Sequence, residues 1–240
     1  MRMSPPALPR RAAAEFIGTT ALVAVVVGSG IRADSLSQDI GVRLLANAAA
    51  TALGLGLLIA LIGPLSGAHF NPVVTLSEWW SRRHDSRGRD VLVYIAAQLA
   101  GAVTGALLAE AMFGRVPGAW ATETRSGLHL LLGEAVATAG LVLVVQGLRR
   151  IGRPGLAPVA VAGYIGAAIW FTSSGSFANP AATVGRAFSD SFTGIAPASV
   201  PAFAAAQLLG MVLGTGLAGV LYGTDPASGE PNPADARRTG

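Results

Sequence analysis

Titratable side chains are scarce enough in this chain to be weighed one at a time. His69, His84 and His129 are its only imidazoles, and it has no cysteine. No two of the histidines stand at i,i+4 or another ligand spacing, so no metal site and no cofactor are expected. Glu15 and Glu134 each sit inside an otherwise apolar run. A carboxylate in such surroundings faces the interior and is either functional or paired. Catalysis would need a nucleophile or base beside it, and in sequence neither glutamate has a close His, Ser or Lys partner. The structural alternative is a buried acceptor for irregular backbone N–H groups. The sequence favours this second role, with no catalytic residue and no enzyme activity.

The most specific polar residues are two asparagines. They lie in Gly67-Ala68-His69-Phe70-Asn71-Pro72-Val73-Val74-Thr75 and in Gly175-Ser176-Phe177-Ala178-Asn179-Pro180-Ala181-Ala182-Thr183, 108 residues apart. Asn caps a helix by accepting a first-turn N–H, and Pro suits the first helical position. Each stretch therefore starts a helix, and each lies in a break between long apolar segments.

Those segments are the elements that must position the asparagines. The chain is 52% hydrophobic and 12% charged, with mean hydropathy +0.54. This excludes a disordered chain and, despite a pI near 10.6, a nucleic-acid partner. Apolar spans are expected at 11–30, 42–62, 91–113, 127–147, 155–173 and 198–222, with half-length helices at 72–80 and 180–189. Residues 1–10 read as a disordered leader and 224–240 as a disordered tail, leaving 11–223 as one domain. A signal peptide is the alternative for the first span. It loses because the run is long, carries Glu15, lacks a small-x-small cleavage site and precedes further spans. Short helices at membrane depth are tolerated only where protein buries them or a cavity borders them.

The arginines orient the chain. With the N-terminus cytoplasmic, outer segments hold Arg32, Arg43, Arg115, Arg125 and Arg186, and inner segments hold the other twelve of the 17 basic residues. That bias puts both termini inside.

The chain is also duplicated. Ala96-Ala97-Gln98-Leu99-Ala100-Gly101 matches Ala205-Ala206-Gln207-Leu208-Leu209-Gly210, and Glu15-Phe16-Ile17-Gly18-Thr19 matches Glu134-Ala135-Val136-Ala137-Thr138. The halves, about 11–114 and 115–223, hold three spans and one half-helix each. Three is odd, so the halves are inverted, and inverted repeats place their site near the midplane. Gly101/Gly105 and Gly210/Gly214 suit close helix crossings, although glycine is frequent here, at 31 residues.

Ser66 to Thr75, Phe177 to Ala181 and Ala14 to Thr19 together resemble the aquaporin and glycerol-facilitator (major intrinsic protein) family. The resemblance implies an all-α membrane protein with six tilted helices and two half-helices meeting at the bilayer centre, assembled as a homotetramer in the plasma membrane. It implies a pore centre at Asn71, Pro72, Val73, Asn179, Pro180 and Ala181, with carbonyl acceptors from Ala68, His69, Phe70, Ser176, Phe177 and Ala178. The implied function is passive passage of water and small uncharged solutes such as glycerol, urea or arsenous acid, with ions and protons excluded. An ion-coupled transporter is the competing class.

Two departures from the family pattern bear on the cargo. The first motif reads Asn-Pro-Val, which is expected to put the bulk of Val73 where the half-helices touch. The family's arginine after the second motif is Ala182 here, and gapless spacing gives Thr51, Ala167 and Ser176 as the remaining outer-constriction residues. Such a ring is wider and less polar than a strict water filter. Arg186, one turn beyond Ala182, either borders the outer vestibule or serves as an interfacial arginine, snorkelling or pairing with Asp190.

Overall fold

The computed structural model describes residues 6–81 and 88–223. Among these are six helices long and apolar enough to cross a membrane: α1 (Leu8–Leu36), α2 (Ile40–Ser66), α4 (Gly88–Met112), α5 (Leu128–Arg150), α6 (Ala157–Phe171) with the short 3-10 turn Pro154–Leu156 before it, and α8 (Val200–Tyr222) with the turn Pro197–Ser199 before it. Two short helices, α3 (Pro72–Ser81) and α7 (Pro180–Arg186), complete the fold. The all-helical 3+3 arrangement is the expected one.

Local chemistry explains several boundaries. The Asp39 side chain accepts from the Val42 N–H and starts α2, and Gly67, with φ +93°, ends it. Pro180 follows the Asn179 cap at the start of α7. Leu8 to Arg10, expected in the leader, are instead the first turn of α1, where Pro9 sits in a favoured early position. Of the rest of the expected leader, Pro6 and Ala7 lead into that turn and 1–5 lie outside the described residues, as do the tail, 224–240, and most of the charged stretch, 82–87. Helix α7 stops at Arg186 rather than 189. There the Ala187 and Phe188 N–H groups bond three residues back, and the Ala187 carbonyl accepts from Ala121.

The duplicated glycines set how closely the long helices cross. A Cβ on Gly101 would stand 2.5 Å from the Phe16 carbonyl oxygen, and one on Gly105 would overlap that of Thr20. Gly210 and Gly214 meet the Ala135 and Ala139 carbonyls in the same way. Helices α1 and α4, and equivalently α5 and α8, therefore touch backbone to backbone. This brings Gln98 and Gln207 within reach of the two buried glutamates.

Candidate functional site

Each half-helix is preceded by backbone that only a buried acceptor could hold. Ala68, Phe70, Ser176 and Ala178 all adopt positive φ, between 47° and 49°, a strained region for residues with a Cβ. Glu15, fully buried, accepts from the His69 N–H (3.0 Å), the Phe70 N–H (2.7 Å), the Ser66 hydroxyl (2.6 Å) and the Gln98 amide (2.8 Å). Glu134 accepts from the Phe177 N–H (2.8 Å), the Ala178 N–H (2.9 Å) and the Gln207 amide (2.6 Å). Every interaction is one that a buried carboxylate can accept: backbone N–H groups and a glutamine amide at both sites, and the Ser66 hydroxyl at Glu15 as well.

These bonds aim the carbonyls. In a trans peptide the C=O points opposite to the N–H of the same unit. With the N–H groups of residues 69, 70, 177 and 178 turned to the glutamates, the carbonyls of Ala68, His69, Ser176 and Phe177 turn away from them. The carbonyls of Phe70 and Ala178 do something else. The Asn71 amide donates to the Ala178 oxygen and the Asn179 amide to the Phe70 oxygen, both at 2.8 Å. Phe70 is therefore corrected from a solute acceptor to part of the latch that joins the two half-helices, whereas Ala178 belongs to the latch and also borders the cavity beside it.

The asparagines are fixed at their other end as well. Asn71 Oδ1 accepts from the Val73 N–H, and Asn179 Oδ1 from the Ala181 and Ala182 N–H groups. Each amide keeps a second N–H for another acceptor. Thr75 and Thr183 support the arrangement: each hydroxyl bonds its asparagine's carbonyl and accepts from Gln98 or Gln207 at 2.9 Å.

A single cavity of about 1470 Å³ passes these groups. At the end near the described chain termini it is bordered by Arg11, Glu78, Asp90 and Arg149, and at the other by Glu123, Arg125, Arg186 and Thr193. Between them lie Asn71, Asn179, Ala68, His69, Ser176 and Phe177, facing an apolar wall that includes Leu22, Leu55, Ile165 and Ile169. The acidic residues on its wall, Glu78, Asp90 and Glu123, stand at its ends. Among the described residues no cluster of three His, Cys, Asp or Glu side chains could hold a metal.

The positions inferred for the outer constriction separate. Thr51, Ser176 and Ala182 border the cavity, whereas Ala167 is exposed on the outside of α6. Packing of α6 on α2 turns Val161, Ile165 and Ile169 inward, and a gapless count from the motif cannot see that rotation. Val73 is also corrected. It is fully buried among Val142, Met211 and Leu76, away from the lumen, while Ala181 packs in the α1–α4 cluster with Val23 and Ala102. Neither proline borders the cavity.

Arg186 does border it. Its guanidinium carbon lies 3.3 Å from the centre of the Phe177 ring, and its Nε donates to the Thr193 carbonyl. Asp190 does not pair with it; the Asp190 carboxylate accepts from the backbone and hydroxyl of Thr122, both at 2.9 Å. Sequence reasoning missed a second arginine here. Arg125, from the α4–α5 connection, donates to the Gly194 carbonyl at 2.8 Å and lies 5.3 Å from the same ring. Burial lowers the Arg125 pKa, with Glu123 and Glu134 opposing the shift. No local pattern marks Arg125, because the fold alone brings that connection to the mouth. Gln98, Gln207, Thr75 and Thr183 did carry a signal, their place in the duplicated segments.

Comparison with known proteins agrees with this geometry. The model of the major intrinsic protein family matches residues 3–173. The chain belongs to that family. It is 46% identical over 205 residues to aquaglyceroporin AqpS of Rhizobium meliloti, covering 85% of this chain and 87% of that one. It is 33% identical over 216 residues to a probable aquaporin, AqpM, of Archaeoglobus fulgidus, covering 78% and 86%. The crystal structure of the Plasmodium falciparum aquaglyceroporin superposes with a TM-score of 0.68 over 88% of this chain and 95% of that one, at 23% identity, a likeness of fold.

Proposed function

We propose that this protein is a passive channel for water and small uncharged solutes in the plasma membrane, a homotetramer with one pore per chain and both termini cytoplasmic. The observation that carries the reading is one cavity, open toward both ends of the bundle, with the two capped asparagines at its middle. A solute crossing it exchanges water for fixed partners one at a time. The carbonyls of Ala68 and His69 accept from it in one half, the Asn71 and Asn179 amides donate at the centre, and the carbonyls of Ser176 and Phe177 accept in the other half. The N-terminal ends of α3 and α7 face each other there, so their partial positive charges oppose protons and metal cations.

Ion coupling finds no support in this geometry. A coupled transporter needs a titratable or ion-coordinating group at the midplane, and the acids nearest to it, Glu15 and Glu134, are occupied by backbone and glutamine donors. With Ala182 in place of arginine, the outer constriction favours solutes larger than water. The test is a stopped-flow comparison of water, glycerol, urea and arsenous acid in proteoliposomes. Glycerol should pass faster than through protein-free vesicles, and Ala182→Arg should cut glycerol flux more than water flux. Equal loss of both would count against the wide pore.

A further inference from the structure

The two half-helices place opposite charges at equivalent positions, and only one of these charges is answered. Glu78 and Arg186 both stand seven residues beyond their asparagine, and both border the cavity. Glu78 pairs with Arg149 at 2.7 Å. The offset that maps Glu15 onto Glu134 maps Gly30 onto Arg149, so the place of a counter-ion for Arg186 falls to a residue without a side chain. The Thr193 methyl fills that space: a Cβ on Gly30 would stand 2.5 Å from it.

Arg186 is thus nine-tenths buried without an acidic partner among the described residues. Its Nε is spent on the Thr193 carbonyl and its face on Phe177, and its terminal nitrogens have no protein acceptor among the described residues. Arg125 is held over the same ring by backbone carbonyls, again with no ion pair among the described residues. The nearby acids are committed elsewhere. Glu110 is bound to Arg115 (2.8 Å) and Ser189, Asp190 to Thr122, and Glu134 to the backbone. Only Glu123, exposed at the rim, has an unengaged carboxylate.

We infer that Arg125 and Arg186 form a binding site for a small oxyanion at the outer mouth, in which the anion supplies the carboxylate that Arg149 finds in Glu78 and Arg186 lacks. Planar guanidinium forks match the oxygens of phosphate-like and carboxylate-like anions. The site holds the anion without passing it, because the carbonyls of Ser176 and Phe177 line the lumen just inside and repel negative charge. Glu123 at the rim competes with the anion. An occupied site would obstruct solutes entering from this side, a consequence that rests on the cavity being a pore.

The direct test is isothermal titration of inorganic phosphate into the full-length protein in detergent, against chloride at equal ionic strength. The site predicts one saturable phosphate per chain. Arg186→Gln should weaken binding by at least about tenfold, the scale of a lost charge-assisted hydrogen bond. Glu123→Gln, which removes no side-chain hydrogen bond, should tighten it about threefold, as removal of an exposed charge would. Absence of saturable heat in the wild type, or affinity unchanged in both variants, overturns the site. Flux measured in phosphate-free vesicles judges the pore separately. Flux without phosphate binding refutes the site and spares the channel, and phosphate binding without flux does the reverse.

Discussion

In the first half-pore the residue two before the asparagine is His69, whose ring lies 3.1 Å from the Thr75 hydroxyl and stacks at a tilt, 5.4 Å from Tyr94. In the second half-pore it is Phe177, which packs edge-on against Phe203 at 5.3 Å and carries two arginines over its face. Beneath this difference the frames are alike. Glutamate, glutamine, threonine, asparagine and the glycine pair recur in both halves, and the glutamates take two backbone N–H groups and a glutamine amide in each; Glu15 adds the Ser66 hydroxyl and Asn179 caps one N–H more than Asn71. Residues that build the pore are duplicated, and residues that face its contents have diverged. Selectivity is therefore to be sought in the mismatched positions and stability in the matched ones.

The largest expected effect is on the frame. Glu15→Ala or Glu134→Ala would orphan two buried backbone donors and a glutamine amide, at about 1–3 kcal/mol for each unsatisfied group. Either change should lower the thermal unfolding temperature in detergent sharply and abolish flux. If one glutamate proved dispensable, the halves would not be equivalent frames. Next, Gly105→Ala and Gly214→Ala each push a methyl group into a carbonyl of the facing helix, at about 1–3 kcal/mol. Matched losses in thermal stability would support the equivalence, and a loss at only one site would break it.

Val73→Ala sharpens the comparison from the other side. The first motif departs from the second at this position, yet the side chain is walled off from the lumen. The change should cost about 1–2 kcal/mol in stability and leave the ratio of glycerol to water flux unaltered. The smallest effect concerns the outer loop. The N–H and hydroxyl of Thr122 hold the Asp190 pKa below its ordinary 3.8. A carboxylate with a depressed folded-state pKa stabilises above its unfolded value and loses that contribution as pH falls through the folded one. Stability supplied by Asp190 should thus be constant at neutral pH and fade only below about pH 4, and Asp190→Asn should remove that fading. A pH titration of unfolding temperature reads the difference.

Much of this was legible in the chain. Long apolar runs announce six spans, because a helix needs about 20 apolar residues to cross a bilayer. The Asn-Pro pairs locate α3 and α7, because capping is local chemistry. The roles of Glu15 and Glu134 follow from burial without a reactive partner. What could not be read is rotation and long-range approach. Ala167 was misplaced because counting along the chain does not fix which face of α6 turns inward. Val73 was misplaced because the contact between half-helices runs through the asparagine amides and opposing carbonyls, leaving its side chain to pack elsewhere. Arg125 reaches the mouth through a connection whose path no local pattern records.

The central claim, passive conduction through a pore latched at Asn71 and Asn179, is tested most directly by glycerol flux into proteoliposomes with and without a proton gradient, across a range of temperatures. A pore predicts flux unaffected by the gradient and an activation energy well below that of protein-free vesicles. Flux that needs the gradient, or that matches the temperature dependence of bare lipid, would contradict it.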